Sequence, residues 1–320
     1  MSPKKAKLEG MKVFSGTANL SLAKNIAKSL GVPLGDLTVT RFSEGEIRVK
    51  INEDVRGRDI FLIQPTCPPV NDNVIELLIM LDAFKRASAR RITTVLPYYG
   101  YARQDRKDQP RVPITAKLMA NIITVAGTNR LLTMDLHAQQ IQGFFDIPVD
   151  HLYAYPVLSG YFRKKNLKDL TVVSPDVGGI KMARAYAKGL GADLAIVDKR
   201  RTGPNEVEAM NLIGEVKNRT VLIPDDIIAT GSSLVEAVNA LVKFGAGDIY
   251  ACCTHAILSG NAVQKLQKTA LKEIVVTDTI PLPPEKRVDK IKVLTVAPLL
   301  GEAILRIHNE RSISTLFDDP

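Results

Sequence analysis

Short apolar runs alternate along the chain with longer amphipathic stretches, a rhythm that predicts parallel α/β units. "RDIFLIQP" reads as a buried strand, and "NVIELLIMLDAFKRASA" behind it places Val74, Leu77, Leu78, Leu81 and Phe84 at helical spacing. Side chains from Asn71 to Asn73 are candidate caps for that helix. "RITTVLPYYG" predicts the next strand, ended by Pro97, followed by a helix over "TAKLMANIITVAG" and a strand over "RLLTMDLH".

The grammar repeats in the second half. "LTVVSPDVGG" runs from a strand into a glycine turn, and "IKMARAYAKGLG" is a helix closed by glycine. "DLAIVDKRR" and "TVLIPDD" are strands, "SLVEAVNALVKFGAG" is a helix, and "DIYACCTHAIL" and "EIVVTDTI" are further buried strands. Residues 201 to about 210 are polar, contain Gly-Pro and lack clear periodicity, so they read as a mobile loop. A boundary in "DIPVDHLYAYP" would leave two α/β halves of similar size. No internal repeat of solenoid length stands out.

Composition narrows the class. At 320 residues the chain exceeds what one core usually holds, which favours two domains. Three cysteines, Cys67 and the adjacent Cys252 and Cys253, make neither a disulfide framework nor a metal spacing, as expected of a reducing cytoplasm. The opening "MSPKKAKLEG" reads as a polar tail, and no apolar run reaches membrane-span length, so no membrane partner is expected. The net charge of +9 is the unusual bulk value. Its positive residues fall in short bursts such as "KRASARR", "RQDRK" and "DKRR", without the basic helix or aromatic-interleaved strand used to read nucleic acid. Small anionic ligands suit that distribution better.

The most informative stretch is "VLIPDDIIATGSS", residues 221–233. Ligands of open α/β sheets gather at the carboxyl ends of strands, and a small-residue turn opening a helix offers unpaired N–H groups to phosphate. Asp225 and Asp226 cannot favour phosphate themselves; they suit vicinal hydroxyls or magnesium beside it. A sugar phosphate satisfies both ends. An Asp cap at an ordinary strand–helix turn fits the same residues, and these residues alone leave both readings open. "SPDVGG" and "MDLHAQQIQGFFDIP" repeat the strand-end acid pattern, while G-x-x-x-x-G-K-[ST] and the H-R-D and D-F-G elements of protein kinases are missing.

The segments "RFSEGEIRV", "YYGYARQDRK", "DLHAQQIQGFFDIPVD", "SPDVGG", "DKRR" and "DDIIATGSS" occur in one order that closely resembles the ribose-phosphate pyrophosphokinase family of the phosphate-regulated bacterial type. The resemblance runs over nearly the whole chain. It implies an α/β fold of two similar domains of the type I phosphoribosyltransferase kind, each a mainly parallel sheet flanked by helices. Residues 1–152 would carry the ATP segments. Residues 153–320 would carry the ribose 5-phosphate site and the catalytic loop, with the last helix packing back on the N-terminal domain. The implied reaction moves the diphosphoryl group of ATP to the C1 hydroxyl of ribose 5-phosphate, giving 5-phosphoribosyl 1-diphosphate and AMP, with magnesium as cofactor.

The same resemblance implies roles residue by residue. Lys199 and Arg201 match the catalytic pair. Phe42, Glu44, Glu46, Arg103 and Gln104 match ATP-binding positions, with the Phe42–Glu46 segment reaching a neighbouring subunit of a homohexamer. Arg201, Asp225, Asp226, Ala229, Thr230, Gly231, Ser232 and Ser233 match the ribose 5-phosphate site, and His137 and Asp176 match magnesium positions. On their own, His137 reads as a strand-end polar residue and "DKRR" as a solvated run. The chain departs from the family's usual pattern at Glu44 and Ala229, where Asp is common, at Ser232 and Ser233, and at Pro224. It departs also in "DQPRVPIT", near the regulatory phosphate and ADP site. A non-catalytic regulatory relative is the alternative reading, and the presence of both loop cations speaks against it.

Overall fold

The computed structural model describes residues 8–200 and 209–316. These form two compact units: residues 8–153 with 279–281 and 295–316, and residues 154–200, 209–278 and 282–294.

The first unit begins with β1 (Met11–Ser15) and α1 (Leu20–Leu30), then an antiparallel hairpin of β2 (Leu37–Arg41) and β3 (Ile47–Ile51). It continues through β4 (Asp59–Ile63), α2 (Val70–Arg86), β5 (Arg91–Leu96), α3 (Thr115–Ala126), β6 (Arg130–Met134) and β7 (Val149–Leu152). Its sheet has the order β1-β4-β5-β6-β7, with every pair parallel. All five residues of β4 are buried, which explains why that strand is an unbroken apolar run after its first residue. α2 turns Leu77, Met80, Leu81 and Phe84 into the core against Phe14 and Leu62.

The expected caps of α2 are not made. The helix starts at Val70, behind Pro69, so Asn71 and Asn73 already lie inside its first turn. Asn73 instead donates from Nδ2 to the Cys67 carbonyl at 2.7 Å. Proline tolerates the position before a helix because no intrahelical partner exists for its missing N–H.

The second unit holds α4 (Tyr155–Lys165), β8 (Leu170–Ser174), α5 (Ile180–Leu190), β9 (Asp193–Arg200), β10 (Ala209–Ile213) and β11 (Thr220–Ile228). After these come α6 (Ser232–Lys243), β12 (Ile249–Ala256), α7 (Ala262–Gln267), β13 (Leu271–Thr277) and β14 (Ile291–Leu294). The strand order is β10-β9-β8-β11-β12-β13-β14, parallel except for β10. Most of the expected loop from 201 to about 210 lies outside the described residues, but its end does not. Ala209 and Met210 begin β10, which pairs antiparallel with β9 through Ala209↔Arg200 and Met210↔Lys199. An edge strand needs partners on one side only, so it can be short and weakly patterned.

The chain returns to the first unit with α8 (Ala297–His308), which packs on α1. The helices approach closely at Gly301, where a Cβ would stand 2.2 Å from Ser29 Oγ and would force that hydroxyl to move. Both sheets are mainly parallel and flanked by helices, the α/β class expected from the pattern. Among the described residues, no helix is long and apolar enough to cross a membrane.

Candidate active site

In the first unit, the carboxyl ends of β5 and β6 open on one cleft. "YYGYARQ" leaves β5 in a tight turn in which the Gly100 N–H donates to Thr66 Oγ1 at 2.7 Å. A Cβ on Gly100 would fall 2.5 Å from the Thr66 carbonyl, so the backbone can make this turn only with glycine. The turn carries Arg103 and Gln104 outward, both exposed. Thr115 Oγ1 donates to Gln104 Oε1 at 2.5 Å and the Ala116 N–H to the Gln104 carbonyl at 3.1 Å, so the start of α3 fixes Gln104. After β6, Asp135 adopts a φ of 37° and the chain turns to present His137. Arg103, Gln104 and His137 line the same cleft of about 670 Å³, with Asp105, Arg106 and Gln140.

Sequence reasoning passed over Asp105 and Gln140, although both lie in quoted segments. Gln140 Nε2 donates to Asp105 Oδ2 at 2.9 Å and thereby ties the two cleft-lining loops together. Support from behind comes from His151, a buried side chain on β7 whose Nε2 accepts the Leu136 N–H at 2.9 Å.

Phe42, Glu44 and Glu46 sit elsewhere, on the tip joining β2 to β3, and are not part of the cleft lining. The tip is closed by the Phe42 N–H donating to the Glu46 carbonyl at 2.9 Å, with Gly45 at φ 98°. The inner face of the hairpin, Val39 and Val49 among it, packs on the core, yet Phe42 is 47% exposed. The Arg48 guanidinium lies over it, 5.9 Å from the ring centroid.

In the second unit, "SPDVGG" leaves β8 as a compact turn. Asp176 Oδ1 accepts the Gly179 N–H at 2.9 Å, and Ser174 Oγ donates to the Asp176 carbonyl at 2.6 Å. A Cβ on Gly179 would stand 2.9 Å from Ser174 Oγ. Asp176 itself is exposed.

The paired acids lie within β11, which runs two residues beyond them. Asp225 pairs with Cys253 of β12, while the ladder to β8 ends at Leu222. Pro224, with no N–H to give, therefore falls two residues past the last β8 partner. Burial, the adjacent Asp226 charge and, more weakly, Asp176 push the Asp225 carboxyl up to about 8. Burial and the two carboxylates also push the Cys253 thiol up. Such crowding disfavours a second negative charge and favours either a cation or hydroxyl donors against the acids. Ala229 to Ser233 follow as the turn into α6, with Gly231 at φ 73° and no side chain capping the helix. Open N–H groups at the positive end of a helix receive phosphate.

Lys199 lies near the end of β9, its backbone paired with Met210. Arg201 lies outside the described residues. Among the described residues, no group of three or more His, Cys, Asp or Glu side chains is gathered as a metal cage.

Comparisons with known proteins agree along the chain. Residues 11–127 match the N-terminal domain of ribose phosphate pyrophosphokinase, and residues 197–318 match the phosphoribosyl synthetase-associated domain. The ribose-phosphate pyrophosphokinase of Corynebacterium ammoniagenes is 55% identical over 308 residues, covering 96% of this chain and 97% of that protein. The enzyme of the same name from Caldanaerobacter subterraneus subsp. tengcongensis is 57% identical, covering 96% and 98%. The crystal structure of phosphoribosylpyrophosphate synthetase from Mycobacterium smegmatis superposes with a TM-score of 0.89 at 41% identity, covering 94% of this chain and 99% of that one. With both units accounted for at this level of identity, the chain belongs to the ribose-phosphate pyrophosphokinase family.

Proposed function

We propose that this chain transfers the β,γ-diphosphoryl group of ATP to the C1 hydroxyl of ribose 5-phosphate, releasing AMP and 5-phosphoribosyl 1-diphosphate. The observation that carries the reading is the 55% identity to named ribose-phosphate pyrophosphokinases over 96% of the chain. The strand-end acids Asp225 and Asp226, followed by an uncapped helix start, support it with a receptor of the right chemistry. The non-catalytic alternative finds no support in these relatives.

In this reading the carboxylates accept hydrogen bonds from the ribose hydroxyls, while backbone N–H groups from Ala229 to Ser233 hold the 5-phosphate. Those backbone contacts do not depend on the side chain at Ala229. The C1 oxygen forms a bond to the β-phosphorus, the bond from that phosphorus to the α,β-bridging oxygen breaks, and the bridging oxygen leaves on AMP. The C1 hydroxyl proton is released. Lys199 and Arg201 stabilise the charge that gathers on the bridging and equatorial oxygens, and a loop closing over the site would exclude water.

Arg103 and Gln104 serve the ATP phosphates from the first unit. Phe42, Glu44 and Glu46 serve the base from a neighbouring subunit, Phe42 by stacking and a carboxylate by accepting from the exocyclic amine. In this reading that tip meets a second copy, with a hexamer as the expected form. His137 and Asp176 are the residues assigned to magnesium. An imidazole and a carboxylate suit an ion that keeps most of its water and binds through substrate oxygens. When bound, magnesium neutralises phosphate charge. The setting is the cytoplasm.

Incubation with ATP, ribose 5-phosphate and magnesium is expected to release AMP in step with phosphoribosyl diphosphate. Release of ADP would mean γ-phosphoryl transfer and would refute the assignment.

A further inference from the structure

The turn that opens α6 has a neighbour outside the strand-end motif. α7 is short, and Ala262, Val263 and Leu266 bury it in the core of the second unit. Its last turn lies against the phosphate turn, because a Cβ on Gly231 would stand 3.3 Å from Leu266 Cγ. The residue beside Leu266 is Lys265. Its backbone is fixed by the Lys265 N–H donating to the Asn261 carbonyl at 3.0 Å. Its side chain is directed at the turn, with Nζ donating to Ser232 Oγ at 3.4 Å.

Three polar groups converge there. Thr230 Oγ1 also donates to Ser232 Oγ, at 3.4 Å. A serine oxygen that accepts from two donors has both lone pairs engaged, and its own proton points elsewhere. The start of α6 carries no acidic residue and no side-chain cap. Among the described residues Lys265 makes no ion pair, so its charge is not spent on a neighbouring carboxylate. The outcome is a helix N-terminus, two hydroxyls and one ammonium facing one place, with no negative charge in the helix's first turn to balance them.

We infer that Lys265 is a further binding residue of the sugar site, a cation that engages the 5-phosphate and lets the enzyme distinguish phosphorylated from unphosphorylated pentose. The inference rests on ribose 5-phosphate occupying this turn. Both long distances tighten when a phosphate oxygen replaces Ser232 as the acceptor, because an ionised acceptor shortens and strengthens such bonds. Ser232 then acts as a placeholder that keeps the ammonium over the turn. A lysine suits this part because a point charge on a flexible stem can follow the phosphate.

The test uses the full chain with Lys265→Met, which keeps an unbranched apolar stem but removes the charge, and Lys265→Arg, which keeps the charge. Calorimetry with ribose 5-phosphate, with ribose and with inorganic phosphate reads binding apart from turnover. Lys265→Met is expected to weaken ribose 5-phosphate about tenfold, a typical loss for one charge-assisted contact. Inorganic phosphate should weaken in parallel and ribose should not. In steady state the loss appears in KM for ribose 5-phosphate, not in KM for ATP, and Lys265→Arg recovers most of it. Equal binding of ribose 5-phosphate by wild type and Lys265→Met would overturn the inference. So would an equal loss for ribose, or failure of Lys265→Arg to recover affinity, either of which would mark Lys265 as merely structural. Wild type that makes AMP while Lys265→Met is unaltered refutes this inference alone. Wild type that makes no AMP and binds no ribose 5-phosphate refutes the proposed function with it.

Discussion

Lys199→Ala is expected to lower kcat about a thousandfold and to leave the melting temperature within about 2 °C, the range lost when one charge-stabilising donor is removed from a transition state. The backbone of Lys199 pairs with Met210 on β10, the edge strand of the second unit, and a methyl side chain leaves that ladder intact. The chemistry explains the size of the loss. Transfer at the β-phosphorus demands little covalent work from the protein and much charge stabilisation, so a removed cation has no ready substitute. Substrate affinities should move far less than kcat, because in the proposed role the interaction strengthens only as the bond to AMP breaks. Quenched-flow release of AMP under single-turnover conditions separates the chemical step from product release. A rate within about threefold of wild type would remove Lys199 from the mechanism.

Elements carrying a strong local pattern were legible from sequence. The strand over "RITTVL" and the helix over "TAKLMANIITVA" end where Pro97 and Gly127 stop them. In each case one apolar face or run is bounded by residues that cannot continue the element. The hairpin was harder. "LTVTR" and "IRVKI" largely alternate between half-buried and exposed positions, a strand signal that is weak because each strand is only five residues long and neither is fully buried on any face. The cap of α2 failed for a different reason: asparagine near a helix start is a good signal only if the helix begins after it, and Pro69 places the start earlier. The first two residues of β10, Ala209 and Met210, fall within the expected loop because an edge strand needs neither a full apolar face nor a strong turn signal.

The candidate site divides along the same line. The acid pair and the small-residue turn are consecutive, so their sequence already carries the chemistry. The cleft shared by Arg103, Gln104 and His137 requires β5 and β6 to lie side by side, a pairing no local pattern encodes. Lys265 is more remote still. It is 33 positions from Ser232, on a helix whose sequence "AVQKLQ" has no chemical signature, and only the packing of Leu266 under Gly231 brings it to the turn. Contacts that depend on two separate elements meeting are invisible until the fold is known.

The largest stability effect belongs to another such contact. Asp59→Asn is expected to destabilise the first unit by roughly 3 kcal/mol, the low end for breaking a buried ion pair, because Arg91 keeps some contact with water. That corresponds to a fall of about 6–12 °C in its melting temperature. The Asp59 side chain is fully buried at the first position of β4. Its Oδ1 accepts from Arg91 Nε at 2.8 Å, and its Oδ2 accepts from Arg91 Nη2 at 2.5 Å and from His308 Nδ1 at 2.7 Å. Arg91 Nη2 also donates to the Ile307 carbonyl at 3.3 Å, so one carboxylate joins β4 and β5 to the end of α8. Burial alone would raise the Asp59 pKa, but the hydrogen bonds and charges of His308 and Arg91 outweigh it and hold the carboxyl below its ordinary 3.8. A depressed carboxyl contributes stability that is present above its unfolded value and is lost as pH falls through the folded one. Wild type should therefore lose stability below about pH 4, and the Asn variant, already without the charge, should lose less over that interval. Thermal melts of both proteins between pH 3 and pH 6 test this. Parallel curves, or an Asn variant that melts with wild type at pH 6, would show that the cluster contributes nothing to holding α8 on the sheet.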